Sequence, residues 1–390
     1  MSVIDFPKKK LNKKKFAIFI TVCIIIFLIL LSSIIYCFSS SFRKFIDIYI
    51  FRKEIDSDKL PSIEISSSED HFFHAYDKYI AILNKKTLYT YNSSGEKISE
   101  NDINISSPIF ANKNKFLVIA ENNGSNLYLI SGTNVAWQNN LEGKISKISV
   151  NKNGYVSVII SGTSYKSIVI SFDAKGNELF KTYISSNLAI SADISNDNKY
   201  LSIAEVDYSG SIIRSMVKNI SIEKAKTDPT NSVVYTYNFN ENELLTNIKY
   251  QDKNNLVCLT TENIYLLNIS DAIDNKVMNI ENNYEFIDIN LKNNILYTYN
   301  NYSHFSNISY INILNPHSSS KSIYEFKGSI KSIYSNEHKI AINTGAEIHF
   351  IGLNGWLIKK YDSYNEINNI ILGDSIAGII YKDEIKIVEI

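Results

Sequence analysis

The chain has 390 residues, with 40 basic and 40 acidic side chains, three Cys and five Pro. Zero net charge excludes a general nucleic-acid binder, which carries a basic excess, and three Cys cannot build a disulfide framework. A hydrophobic content of 45% is enough for a packed core, so the chain as a whole is not disordered. The length suits two or three average domains or one large β architecture.

Residues 16–38 read FAIFITVCIIIFLILLSSIIYCF, with no charge. At about 1.5 Å per helical residue this run reaches roughly 34 Å, enough for a hydrocarbon core of about 30 Å. A secretory signal has an apolar core of only about 7 to 15 residues and a small-residue cleavage site. The run here is longer and ends in Ile35, Tyr36, Cys37 and Phe38, so an uncleaved transmembrane anchor is expected, with cleavage at Ser39–Ser41 as the alternative. Bulky Tyr36 argues against lipid attachment at Cys37.

Lys8, Lys9, Lys10, Lys13, Lys14 and Lys15 precede the run, and Arg43, Lys44, Arg52 and Lys53 follow it. That bias points to a cytoplasmic tail (1–15), a single span (16–38), a juxtamembrane linker (39–57) and an extracytoplasmic body (58–390). In the linker, Phe42, Phe45, Ile46, Ile48, Tyr49 and Phe51 interleave with the basic residues. This pattern fits an interfacial helix and equally a stalk continuing the anchor. The mildly acidic body carries only Cys258. It has no electrostatic pull toward nucleic acid or anionic lipid.

Beyond residue 58, runs rich in Ile, Val, Tyr, Phe, Leu and Thr alternate with clusters of Asn, Gly, Asp, Ser and Lys, the pattern of short strands and tight turns. The runs repeat. One unit reads ISKISV, NKNG, YVSVII, SIVISF and DAKGNELFKTYIS from Ile145; another reads LAISADIS, NDNK and YLSIAEVD from Leu188, with VVYTYN as a later strand. A third starts near Leu245 and a fourth at Ile330. Unit starts fall near 70, 107, 144, 187, 244, 286, 330 and 368, a period typical of propeller repeats. The unit from 187 is longest, and its excess around Arg214 to Asn231, with Asp228-Pro229, is expected to be an inserted loop or hairpin extension. The last unit, 368–390, supplies only three strands. The unassigned segment Leu60 to Ser66 completes it if the ring closes head to tail, which removes two free sheet edges. The expected fold is all-β, an eight-bladed propeller of four-stranded antiparallel blades, with seven blades as the alternative.

Trp137-Gln-Asn-Asn-Leu and Phe172-Asp-Ala-Lys-Gly-Asn-Glu-Leu-Phe resemble the strand endings of WD40-like and quinoprotein-like propellers. Leu353-Asn-Gly-Trp-Leu-Ile-Lys-Lys-Tyr, followed by Glu366-Ile-Asn-Asn-Ile and Ile376-Ala-Gly-Ile-Ile-Tyr, resembles an uncharacterised family, a domain of unknown function in membrane-anchored proteins of Gram-positive bacteria. That resemblance covers nearly the whole chain. It implies an anchor and a propeller, and carries no activity.

Candidate chemistry is sparse. His71 and His74 sit at i, i+3, which in a strand sends them to opposite faces. His304, His317, His338 and His349 lack partners in a zinc-binding spacing, and no metal site is expected. No nucleophile elbow or phosphate-cradling loop occurs; Gly154, Gly176 and Gly355 each stand singly in a turn that needs positive φ. Asp173, Asp197 and Asp207 are acid–base candidates only if they meet at a central channel, and turn formation explains them otherwise. With Trp137 and Trp356 alone, a quinone cofactor is not expected. The pairs Tyr89/Tyr91, Tyr235/Tyr237 and Tyr297/Tyr299 fit packing between blades, or a binding platform. The resulting expectation is a non-catalytic, membrane-anchored binding or scaffold module with a protein or envelope-glycan partner, no nucleic-acid partner and no cofactor. The alternative is an exported glycan lyase or hydrolase, which needs ionisable side chains from different blades to converge in one pocket.

Overall fold

The computed structural model describes residues 13–39, 42, 46, 50, 59–66, 70–84, 86–162, 164–241, 243–302, 307–363 and 365–390. The basic tail before Lys13, nearly all of the linker and His304 lie outside them. The chain divides into two compact units, 1–53 and 54–390.

In the first unit, helix α1 spans Lys13–Phe38. It starts three residues before the apolar run because Lys is a good helix former and nothing breaks the pattern there. The Ser32 and Ser33 hydroxyls both donate to the Ile29 carbonyl at 2.8 Å. Each of these hydroxyls is thus satisfied within the helix.

The second unit is a closed ring of eight four-stranded antiparallel sheets. Blades 1 to 7 occupy residues 71–102, 108–140, 144–184, 188–238, 245–279, 284–327 and 332–362. Each blade runs outward in chain order, so its first strand lines the centre and its fourth faces solvent. Burial follows position. In blade 2 the middle strands Phe116–Glu121 and Asn126–Ser131 are buried at four consecutive residues, being covered on both faces by neighbouring blades. The outer strand Asn134–Asn140 instead alternates exposed and covered positions, the period of a half-buried strand. The core therefore lies between blades. One cluster joins Leu127, Leu129 and Trp137 of blade 2 to Val150, Val158 and Phe172 of blade 3.

Blade 8 has strands Asn369–Leu372, Ile376–Ile380 and Glu384–Glu389, and its fourth is Ser62–Glu64 from the start of the body. Ile63 pairs with Ile385, and backbone bonds from Ile387 to Pro61 and from Ile65 to Asp383 extend the ladder. Ile63 is 6% exposed and packs with Ile80, Ile371 and Ile387, so it links blade 8 to blade 1. The count of eight removes the seven-bladed alternative.

The excess in blade 4 differs from the expected insertion. Arg214–Ser221 is the regular third strand of the sheet, paired along its length with Tyr200–Asp207. The added chain is the short helix α2, Ile222–Thr227, and a turn at Pro229–Asn231. Ser221 caps α2 by accepting from the Lys224 amide, and Ile222 and Ala225 are buried against blade 3. Strand-like Ile and Ser at 220–222 concealed a cap at the end of a strand.

The Asp173-x-x-Gly176 turn shows why two blades fit. Asp173 accepts from the amides of Lys175 and Asn177 at 2.8 and 2.9 Å, and Gly176 takes φ +84°. A Cβ on Gly176 would lie 2.7 Å from the Trp137 ring of the preceding blade. Backbone conformation and close approach both select glycine there.

Truncating Ile63 to Ala is expected to cost about 2–4 kcal/mol. A urea melt should show a lower midpoint with the slope kept, and an unchanged midpoint would count against closure through this strand.

Candidate functional site

The inner strands enclose a central cavity of about 620 Å³, located toward their C-terminal ends. Three consecutive blades build one wall by the same device. In blades 3, 4 and 5 the first strand loses register with its neighbour between Ile145 and Lys147, Ala189 and Ser191, and Leu245 and Asn247. Each shift is a one-residue bulge, which re-aims the residues after it. Lys147 and Ser149, Ser191 and Asp193, and Asn247 and Lys249 then line the cavity at matching positions.

These side chains form a connected arc. Lys147 Nζ donates to Asn247 Oδ1 at 3.4 Å and Ser191 Oγ donates to the same oxygen at 2.9 Å. Asp193 accepts from Ser149 Oγ at 3.0 Å and from the Tyr250 amide at 2.9 Å, and Lys249 Nζ lies 3.6 Å from it. Burial, and after it the like charge of Lys249, pulls the Lys147 ammonium below the usual lysine range, with Asp193 opposing.

The opposite arc is carboxylate-bearing. Glu337 of the blade 7 turn meets Lys113 of blade 2 in an ion pair that reaches across the ring. Burial, then the like charge of Lys249, lowers the Lys113 pKa. The Glu337 carboxylate, like those of Asp193 and Asp374, opposes that shift by favouring the charged amine. Asp374 of blade 8 is pushed above the usual carboxylate range by burial, against the pull of His338, Lys339 and Lys113. Lys339 donates to the Asp374 and Ile390 carbonyls. On blade 1, His74 Nε2 donates to Asn112 Oδ1 at 2.9 Å and the ring stacks on Phe110, and burial lowers its pKa.

Ionisable side chains from different blades do converge here, but as cation–carboxylate contacts. Lys113 meets Glu337, and Lys249 lies 3.6 Å from Asp193, an arrangement suited to positioning a polar ligand.

The residues singled out from sequence lie mostly elsewhere. Of the histidines, His74 lines the cavity; His71 heads the same strand, His317 and His338 stand in turns, and His349 bonds Glu347 and Tyr324 at 2.9 and 3.0 Å between blades 6 and 7. Among the described residues no group of His, Cys, Asp and Glu gathers with the makings of a metal site. Asp173, Asp197 and Asp207 each accept bonds within their own turns, and none lines the cavity. Tyr237 packs on Phe239 and Tyr265 across the blade 4–5 boundary, whereas Tyr284, Tyr297, Tyr299 and Tyr310 contact one another within blade 6. Trp356 is 61% exposed. The channel lysines escaped notice because a Lys or Ser in a strand reads as a solvent-facing residue. Alignment of the polar pairs 147/149, 191/193 and 247/249 across successive inner strands was the signal that held them.

The fold defines the class: a closed, eight-bladed β-propeller of four-stranded antiparallel blades. Among solved structures it is similar to BamB from Moraxella catarrhalis, with TM-score 0.50 and 9% identity over 87% of this chain and 99% of that one. It is also similar to Sqt1 of Chaetomium thermophilum, with TM-score 0.53 and 10% identity over 86% and 98% of the two chains. A third is the dihydro-heme d1 dehydrogenase NirN, with TM-score 0.51 and 9% identity over 86% and 78%. At such identities the likeness concerns fold alone. No curated protein sequence matches the chain. Residues 53–390 match the model of a family of unknown function, DUF5711, and the chain belongs to that family.

Asp374→Asn is expected to stabilise the protein at neutral pH. A carboxyl with a raised native pKa penalises folding above that pKa, and the penalty vanishes as pH falls through it. Melting temperatures should therefore differ at pH 7 and converge toward pH 4. A variant less stable than the parent at pH 7 would contradict the assigned direction.

Proposed function

We propose that this chain is a membrane-anchored, extracytoplasmic propeller that binds a protein or envelope-glycan partner and catalyses no reaction. The observation that carries the binding reading is the channel itself, where lysines, carboxylates and amides from different blades gather around one cavity. Such a site holds and orients; it offers no activated nucleophile beside a base. Propellers present broad faces built from loops, and the fold leaves function to the sites placed on it. Nothing on the channel wall favours the glycan-cleaving alternative.

Tethering is supported by Ile18–Phe38, which has a mean hydropathy of 3.2 and the length to cross a membrane. Its large side chains are exposed, among them Phe27 at 63% and Leu30 at 58%, a surface that water disfavours and lipid accepts. The lysines before the run and the smaller basic group after it support a cytoplasmic N-terminus.

Protease added outside intact cells should digest the propeller and leave the N-terminal tail uncut; protection of the propeller would overturn the orientation. A labelling enzyme fused after Ile390 should mark a reproducible set of envelope neighbours. Labelling no different from that of α1 fused alone would sink the binding role.

A further inference from the structure

We propose that the channel binds a small oxyanion, a carboxylate or phosphate group, seated at Lys147, Lys249 and the Asn247 amide. This site goes beyond the protein or glycan partner proposed above, and both readings draw on the same channel.

Charge is distributed unevenly around the cavity. On the arc of blades 3 to 5, two ammonium groups share the single carboxylate of Asp193. That carboxylate is already committed to the Ser149 hydroxyl and the Tyr250 amide, and its contact with Lys249 is long at 3.6 Å. Among the described residues Lys147 has no carboxylate partner; its hydrogen bond goes to the neutral Asn247 carbonyl at 3.4 Å. A half-buried ammonium satisfied by an amide at that distance is under-compensated, since charges withdrawn from water need a counter-charge or several strong hydrogen bonds.

Asn247 supplies the third donor. A lysine ammonium can only donate, so the atom facing Lys147 must be the amide oxygen, and the Ser191 hydroxyl shares it. The amide nitrogen of Asn247 then has both hydrogens without a partner among the described residues, in a side chain that lines the cavity. Two ammonium groups and an amide on one wall make a donor set that matches the several lone pairs of an oxyanion, and charge-assisted bonds of this kind are the strong ones. The bulges that turn Lys147, Ser191 and Asn247 inward belong to a run of four, continued in blade 6 between Tyr284 and Phe286, and bulges re-aim side chains beside binding sites.

Size and the facing wall set the ligand class. A cavity of about 620 Å³ falls in the range of small-molecule pockets, about 300–1,000 Å³. Glu337 and Asp374 belong to blades 7 and 8, across the ring from blades 3 and 4. That wall offers an extended polyanion no unpaired ammonium at Glu337, where Lys113 is already engaged, so the ligand's negative charge is confined to the end at Lys147 and Lys249.

The full chain in detergent, at low ionic strength, is titrated with sodium phosphate and separately with sodium citrate, and its melting temperature is followed. At least one of the two should raise it saturably, as a native-state ligand does, while sodium chloride of equal ionic strength does not. Response to phosphate alone assigns a phosphoryl ligand, and response to citrate alone a carboxylate. Lys147→Met should weaken the apparent affinity tenfold or more, whereas Lys331→Met, at an exposed ion pair with Glu366, should leave it unchanged. Asp193→Asn removes the competing anion and should strengthen binding several-fold, a direction that general damage to the channel would not produce. Absence of a saturable rise with both salts, undiminished affinity in Lys147→Met, or unimproved affinity in Asp193→Asn would each overturn the site. None of these outcomes bears on the labelled neighbours, so the two readings fail separately.

Discussion

A four-stranded sheet with apolar residues on both faces has no stable existence alone, and this one constraint organises the propeller. Each blade's middle strands are buried on both sides by the blades before and after. Coverage can be complete for every blade only if the array returns on itself. Closure through Ser62–Glu64 is therefore a condition on the whole ring, because Ile63 supplies contacts that both blade 8 and blade 1 require. Sharing one sheet between the two ends of the body also makes local opening at the seam costly, since it unpairs a strand and uncovers two cores together.

The channel follows from the same geometry. Eight inner strands meeting around one axis leave a space too wide to fill with aliphatic side chains, so polar residues occupy it. Their charges lie within a short range of one another in a partly dehydrated setting, where pairing decides which groups stay ionised. Lys113 and Glu337 bridge blades that are not neighbours and neutralise each other. Lys147, Lys249 and Asp193 are held by bulges on adjacent blades and do not balance. The ring thus presents a compensated side and an under-compensated side within one cavity.

Turn chemistry does the remaining work of spacing. Asx turns such as those at Asp173, Asn151 and Asp252 tie the chain locally through side-chain oxygens accepting from nearby amides. At Gly154 and Gly176 the turn lies against an aromatic ring of the preceding blade, so the same residue that allows positive φ also permits contact. Carboxylates that look catalytic in a list of sequence positions are consumed in this way. Asp173 and Asp207 are held below the usual carboxylate range: burial opposes ionisation at Asp173, and hydrogen bonds from its own turn outweigh it, while at Asp207 bonds from Ser209 lead.

Architecture was legible because its determinants are local and repeated. Alternating apolar runs, polar turns and a period shared by eight units specify blades wherever they occur in the chain, and three strands in the last unit declare a missing fourth. The helix α2 was not legible, since Ser221 caps it only because the strand before it ends there. The channel was beyond reach for a deeper reason. Lys147, Asn247 and Lys249 are ordinary polar residues along the chain, the first 100 positions before the second, and neither bulges nor ring closure leave a mark on composition. Local pattern determined strands, turns, repeat number and the apolar helix. Only the tertiary structure decided which polar side chains face one another, because that depends on bringing distant inner strands to a common axis in one register.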